Sequence, residues 1–411
     1  MSNKKRVKHP NLVFLITVLV IIALYILMKF LQPILMGNAY IFGYAEWFSK
    51  KDSNVLYFIS WILGDITEPL FYKSVIGGLF FVVVCIVVYV LEAKKSHCNL
   101  TAMCYGDHAI WPWIFASGFL SLCLSNVLFG TAYETGGTTW IATFVPFLSA
   151  PSAIMILYRP GWKKLITATI LGTIFTTPIC LFISNVILPV CGFPGVVGIV
   201  ASMCLGSIIC FEICPALPWM HEKTEIKKTQ AEYETTSEKE ELSTQEYMDK
   251  YPGRFFIRRL FVAFSEPMYI GNEFVGIAII LGTLFSWFLN PQHTCYGGGI
   301  LPELIMSELL TGAIAIYFYW DKWKERGYYP TFAPVVSVGP TMAVMYGANI
   351  AIIIIGVVLG AIITPAIADR FTSKLPSHWH PVVGNTGAMT VAIVAVVILV
   401  KFLTLAFPIL L

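Results

Sequence analysis

Two carboxylates, Glu303 and Glu308, interrupt ILPELIMSELLTGAIAIYFYW (300–320), an otherwise apolar run. A carboxylate there can carry a proton, bind a cation or accept hydrogen bonds. Inside hydrocarbon it costs roughly 3 kcal/mol or more unless it faces protein, a partner or water. Glu308 lies the deeper of the two and is expected to couple to a proton or a sodium ion, with a structural hydrogen bond to a neighbouring helix as the alternative. Glu303 lies nearer the end of the run and reads as interfacial.

A second pair of carboxylates shares a setting. TEPLFYKSVIGGLFF (67–81) and SEPMYIGNEFVGIAI (265–279) place Glu68 and Glu266 before a proline, and each follows a semi-apolar stretch too short to cross a membrane. The expected roles are a gate or a solute contact, or else a charge at a helix N-terminus, where the dipole favours it. A third pair has the form TFxPxxS: TFVPFLSAPSAIMILY (143–158) and TFAPVVSVGPTMAVMY (331–346). A proline within a helix removes a donor and frees a carbonyl that hydrocarbon cannot satisfy. Such breaks are tolerated where they face protein or a water-filled path, and in inverted-repeat transporters they present backbone groups to the solute. Thr143, Phe144, Pro146 and Ser149 with Pro151, and Thr331, Phe332, Pro334 and Ser337 with Gly339 and Pro340, are therefore expected to line a pathway. A plain proline kink is the alternative.

The elements that must position these residues follow from composition. The 411 residues are 57% hydrophobic and 12% charged, against roughly 25% charged in soluble domains. Apolar runs of about 18 to 25 residues recur, long enough to span hydrocarbon as helices. The basic MSNKKRVKHPN is followed by about twenty apolar residues without a clean small-x-small site, so it reads as a retained first helix. The expected helices cover 12–32, 74–92, 110–131, 139–158, 164–188 and 194–215, then 270–290, 299–320, 331–347, 349–368 and 382–402. The ten cysteines lie mostly in apolar runs and lack paired metal spacing.

The two halves match in order. Gly78 pairs with Gly276, Pro112 and Ser117 with Pro302 and Ser307, Leu171-Gly172 with Leu359-Gly360, Thr177-Pro178 with Thr364-Pro365, and FPGVVG (193–198) with HPVVG (380–384), the offsets drifting only from 198 to 186. That is the mark of an internal duplication. Lys and Arg collect in EAKKSHCN, RPGWKK, DKWKERG and DRFTSK and in the segment 221–259, and avoid AYETGG, VCG, NPQHTCYGGG and GAN. By the positive-inside rule this puts the N-terminus in the cytoplasm and the C-terminus outside, with the two copies oppositely oriented. The loop at 33–73 is the exception, expected outside although it carries Lys50, Lys51 and Lys73.

Other polar residues carry weaker expectations. Glu212 reads as a snorkelling carboxylate, Asn349, Asn385 and Thr386 as helix-end residues or pathway lining, and His293, His378 and His380 as loop residues without ligand spacing. The glycines at 297–299 form a turn, and Trp111, Trp113, Trp287, Trp320 and Trp323 suit interfacial belts.

With its whole-chain duplication and its TFxPxxS and EP pairs, the sequence resembles a duplicated bacterial membrane-protein family known chiefly as a domain of unknown function, which implies no substrate. Two inverted sets of five helices are also similar in architecture to urea transporters and to the membrane subunits of sodium-pumping redox complexes, although the LPxxTxPF signature of urea transporters is absent.

The expected fold is an all-α polytopic membrane protein of about eleven transmembrane helices, one leading helix plus two inverted-topology repeats of five with proline-broken helices. The divisions are 1–53 (helix and loop), 54–220 (repeat 1), 221–259 (charged cytoplasmic linker) and 260–411 (repeat 2). The expected function is a transporter in a bacterial inner membrane, moving a small polar solute between the repeats with coupling to protons or sodium. A passive channel and a non-transporting scaffold subunit are the alternatives. No HExxH, paired acidic motif or redox-ligand pattern points to an enzyme. No cofactor, metal or nucleic acid is expected; the partners are the lipid bilayer and the solute, and a homo-oligomer is admissible.

Overall fold

A computed structural model describes residues 9–94, 109–130, 142–220, 244–347 and 349–407. Most of EAKKSHCN, the AYETGG connection, residues 221–243 of the charged segment and Ala348 of GAN lie outside the described residues. The described residues are helical, with no strand among them. In the first half the helices are α1 (Asn11–Leu35), α2 (Tyr44–Lys50), α3 (Val55–Ile66), α4 (Val75–Ala93), α5 (Trp111–Phe129), α6 (Ala150–Tyr158), α7 (Trp162–Phe182) and α8 (Gly195–Ile213). In the second they are α9 (Thr244–Lys250), α10 (Pro252–Val262), α11 (Glu273–Leu289), α12 (Leu301–Phe318), α13 (Trp320–Arg326), α14 (Val338–Tyr346), α15 (Ile350–Thr372) and α16 (Val382–Ala406).

Eight helices are long and apolar enough to cross a bilayer, and they are those of a multi-pass membrane protein. Their outer faces expose Phe80 and Val83 on α4, Ile166 and Ile170 on α7, and Leu281 and Phe285 on α11. Large apolar side chains on an outer surface suit a lipid environment, where no hydrophobic penalty attaches to them. The helices differ in depth. In the most apolar stretch of α12, 83% of residues are buried, against 17% in α1, so α12 is central and α1 peripheral.

Helix α1 docks on α12 through the other carboxylate of that helix. Lys29 Nζ lies 2.9 Å from Glu303, and the Tyr25 hydroxyl donates to the same side chain at 3.4 Å. Glu303 is therefore buried and paired, not interfacial, because α1 covers the end of α12 that the sequence leaves open. Four of the five tryptophans expected in an interfacial belt are covered in a similar way, whereas Trp113 is partly exposed. Trp111, Trp287, Trp320 and Trp323 are all buried against protein, with Phe255 packed on both Trp320 and Trp323. That phenylalanine belongs to the charged segment 221–259, whose last part is helical and delivers Phe255, Phe256 and Arg259 into the interior.

The two proline-containing stretches expected as spans at 139–158 and 331–347 are each divided. A 3-10 turn covers Val145–Leu148, the chain breaks at Ser149, and helix resumes as α6; in the second half, turns occupy 331–337 and α14 starts at Val338. The two breaks share their hydrogen bonds. The Phe147 N–H donates to the Phe144 carbonyl and Val335 to Phe332, each at 3.0 Å, and Ser149 to Pro146 and Ser337 to Pro334, each at 3.3 Å.

The Glu-Pro motifs also fold alike. After α3 and after α10 comes a 3-10 turn, Glu68–Leu70 or Glu266–Met268, closed by a residue at φ 60°, Phe71 or Tyr269. Thr67 Oγ1 accepts from the Ser74 N–H at 2.7 Å, and Ser265 Oγ from the Asn272 N–H at 2.9 Å. Ser74 and Asn272 then cap α4 and α11. Glu68 and Glu266 thus sit in buried turns before the caps, not at the helix N-termini themselves. The helix before each turn is pressed onto the helix that follows it. A Cβ on Gly78 would lie 1.9 Å from the Leu63 carbonyl oxygen, and one on Gly276 2.0 Å from that of Phe261.

Candidate functional site

The turns and breaks converge on one cavity of about 730 Å3, counting the part open to its surroundings. The size suits a small organic solute. Its lining is paired in the register of the internal match: Glu68 with Glu266, Pro69 with Pro267, Phe71 with Tyr269, Phe144 with Phe332, and Leu148 with Val336. From α8 and α16 come Val196 with Val382, Ile199 with Asn385, Val200 with Thr386, and Met203 with Met389. Of the lining residues, Tyr296 and His380 alone have no counterpart across the wall.

Of the pathway residues expected from sequence, Glu68, Glu266, Phe144 and Phe332 reach this cavity. Thr143, Pro146, Ser149, Thr331, Pro334 and Ser337 do not line it; they are buried behind it and shape the breaks. Ser337 Oγ donates to the Ala333 carbonyl at 2.7 Å and Ser149 Oγ to that of Pro146 at 3.3 Å, so both hydroxyls serve their own backbone. Asn385 and Thr386 are lining, whereas Asn349 caps α15 by accepting from the Ile352 N–H at 3.2 Å. Glu212 is exposed and accepts from Trp379 Nε1 at 2.7 Å, with His378 at 3.0 Å.

Behind the two glutamates lie charges that the sequence reading missed. Lys73 is fully buried, bonded to Asp65 and 3.1 Å from Glu68 Oε2, with its Nζ 3.6 Å from the centroid of Trp61. Asp65 also accepts from Asn126 Nδ2 at 2.9 Å and Thr143 Oγ1 at 3.1 Å. In the second half Arg259 bonds Glu266 and lies 4.6 Å from the ring of Trp323. The partner cations come from unmatched places, five residues after Glu68 and seven before Glu266, so the internal match could not reveal them. The available signal was a lysine in the apolar FYKSVIGG. Lys73 and Lys51, bonded to Asp52, are paired within the protein, and so are not free loop charges of the kind the orientation rule counts.

Two tyrosines tie the first turn to the second half. The Tyr296 hydroxyl donates to Glu68 Oε1 at 2.7 Å, and the Tyr72 hydroxyl donates to Glu308. Glu308 is fully buried on the central helix, outside the cavity lining, with no cation among its described partners and its Oε1 without a hydrogen bond among them. Where α12 carries Glu308, α5 has Gly118, packed against Phe147 and Ser152 of the first break.

No protein-family model matches this chain, and no curated protein matches it.

Proposed function

We propose that this protein is a transporter that moves a small polar solute through the cavity between two inverted repeats. The observation that carries the reading is the paired lining: matched residues from both halves, including both Glu-Pro turns and both breaks, surround one space. An internal pseudo-two-fold axis through a cavity of broken elements is the plan of inverted-repeat transporters. In this reading α3 and α10 are re-entrant, and the two breaks with α6 and α14 complete a crossing each. Adding α11 to the eight long helices then gives eleven crossings. The N-terminus is cytoplasmic and the C-terminus outside, in a cell membrane, as the basic connections require.

Glu308 is the coupling residue. A buried carboxylate with no cation among its described partners suits coupling to a proton or to a sodium ion. A passive channel or a scaffold subunit would have no need of a buried carboxylate without a counter-ion.

The experiment is uptake by the full chain in proteoliposomes of solutes that raise its thermal stability in detergent, compared with Met203→Trp, which fills the cavity from α8. Uptake and stabilisation are both lost together if the cavity is the path. Uptake that survives the filled cavity would sink the proposal.

A further inference from the structure

The polar side chains of the cavity wall differ in what they already hold. Glu68 accepts from Tyr296, and Glu266 bonds Arg259. The Tyr269 hydroxyl donates to the Ser149 carbonyl at 2.9 Å and Thr386 Oγ1 to the Val382 carbonyl at 2.7 Å, while His380 Nδ1 accepts from the Val382 N–H at 3.1 Å. Asn385 is the exception. It lines the cavity and is only 7% exposed, yet neither Oδ1 nor Nδ2 has a hydrogen-bond partner among the described residues. Both atoms keep some accessible surface, and the space that Asn385 lines is the cavity.

The fold gives no local reason for an asparagine there. Asn385 lies in the first turn of α16, past the N-cap Pro381, and its main-chain N–H already reaches the Pro381 carbonyl at 3.0 Å. A short amide in a first turn ordinarily serves the backbone, and this one does not. At the matching place in α8 the chain carries Ile199, so an apolar side chain suffices for the packing. A buried amide without partners gives up hydration with nothing in return, and a bound solute would restore the bonds.

The side chain also defines what it would pair with. An asparagine amide offers an acceptor and two N–H donors in one plane, so its complement is a flat edge with a donor beside an acceptor. The rings of Phe71, Phe144 and Phe332 line the same space and suit a flat aromatic body, which packs on ring faces and edges.

We infer that the solute is a flat aromatic molecule whose edge carries an N–H donor beside an oxygen or nitrogen acceptor, and that Asn385 pairs with this edge. The solute N–H donates to Oδ1, and Nδ2–H donates to the solute acceptor. The inference rests on the transport reading above and names its substrate class. A ring-borne carboxamide and the edge of a nucleobase share this chemistry. A carboxylate has two acceptors and no donor, so it sets an oxygen against Oδ1.

The test is binding to the full chain in detergent at neutral pH, by calorimetry. Nicotinamide is compared with 3-acetylpyridine, which keeps the shape without the amide N–H, and with nicotinate; 9-methyladenine is compared with 6,9-dimethylpurine, in which a methyl replaces the amino group. At least one of nicotinamide and 9-methyladenine is expected to bind about tenfold or more tighter than its analogue without the donor, and nicotinate to bind more weakly than nicotinamide. Which of the two binds separates a carboxamide from a nucleobase edge. Asn385→Leu, which keeps the size and removes both polar atoms, should bring the ratio close to one. Should that variant fail to fold, the ratios in the unaltered protein decide. Ratios near one in the unaltered protein, or a high ratio that survives Asn385→Leu, overturn the inference. So does the absence of binding by any probe up to about 10 mM. In each case the transport reading is judged separately, by uptake with Met203→Trp.

Discussion

The Tyr269 hydroxyl donates to the main-chain carbonyl of Ser149 at 2.9 Å. It ties the Glu-Pro turn of the second half to the broken helix of the first, at the carbonyl of the residue where the helix resumes. The matched position on the other side is Phe71, which has no hydroxyl to offer Ser337. The Ser337 carbonyl instead accepts from the Thr341 N–H, so the cross-half hydrogen bond is described on one side of the cavity.

Tyr269→Phe removes the cross-half hydrogen bond while keeping the ring. A buried carbonyl that loses a donor costs about 1–3 kcal/mol, so the variant should melt lower by a corresponding amount. If the bond holds a gate, proteoliposome uptake should also speed up. Unchanged uptake in a destabilised protein would make Tyr269 structural only.

The Lys73 cluster predicts a marked non-additivity. Lys73→Met leaves Asp65 and Glu68 buried without their cation, and breaking a buried pair from one side typically costs about 3–5 kcal/mol. Adding Asp65→Asn removes one of the stranded charges and should recover part of that loss. Thermal unfolding of both single variants and the double gives the coupling; simple additivity would contradict the bonded arrangement.

Several local structures were legible because the same residues recur at matching places in both halves. The TFxPxxS and Glu-Pro pairs, Gly78 with Gly276 and the late FPGVVG match all fold into corresponding local structure, since backbone hydrogen bonds depend on prolines, hydroxyls and glycines at fixed spacing. What an internal sequence match hides is whatever the two halves do differently. Lys73 aligns with Gly271, Asp65 with Ala263, and Arg259 with Trp61, so the ion pairs of each turn had no echo to mark them. Glu303 was misplaced for another reason: hydropathy gives depth along one helix, while its burial is conferred by α1, distant in sequence. The same holds for Trp320 and Trp323, covered by Phe255.

Glu308→Gln tests the state of the central carboxylate. With no cation beside it and the Tyr72 hydroxyl as its described donor, a protonated Glu308 is matched closely by glutamine in size and charge. Stability should then change by less than about 1 kcal/mol, while uptake loses its dependence on a pH gradient. A loss above about 3 kcal/mol would instead show an ionised group whose charge the fold needs.

His293 predicts an acid limit on stability. It lies in the connection between α11 and α12, fully buried, with its ring stacked on Trp47 at 5.0 Å between centroids. Its Nδ1–H donates to the Phe42 carbonyl at 2.8 Å, and Nε2 accepts from the Val75 N–H at 3.4 Å, so both nitrogens are committed in the neutral form. Burial pushes the imidazole down from its ordinary value to about 4, against the opposing pull of the Phe42 carbonyl. In the unfolded chain it titrates near 6.5, so between those values the unfolded state binds more protons. Its contribution is complete above about pH 6.5 and declines as the pH falls towards 4, at up to about 1.4 kcal/mol per unit. Melting temperatures in detergent from about pH 7 to pH 5 should show this decline in the wild type, and His293→Gln should flatten it. An equal decline in both would assign the acid sensitivity to other groups.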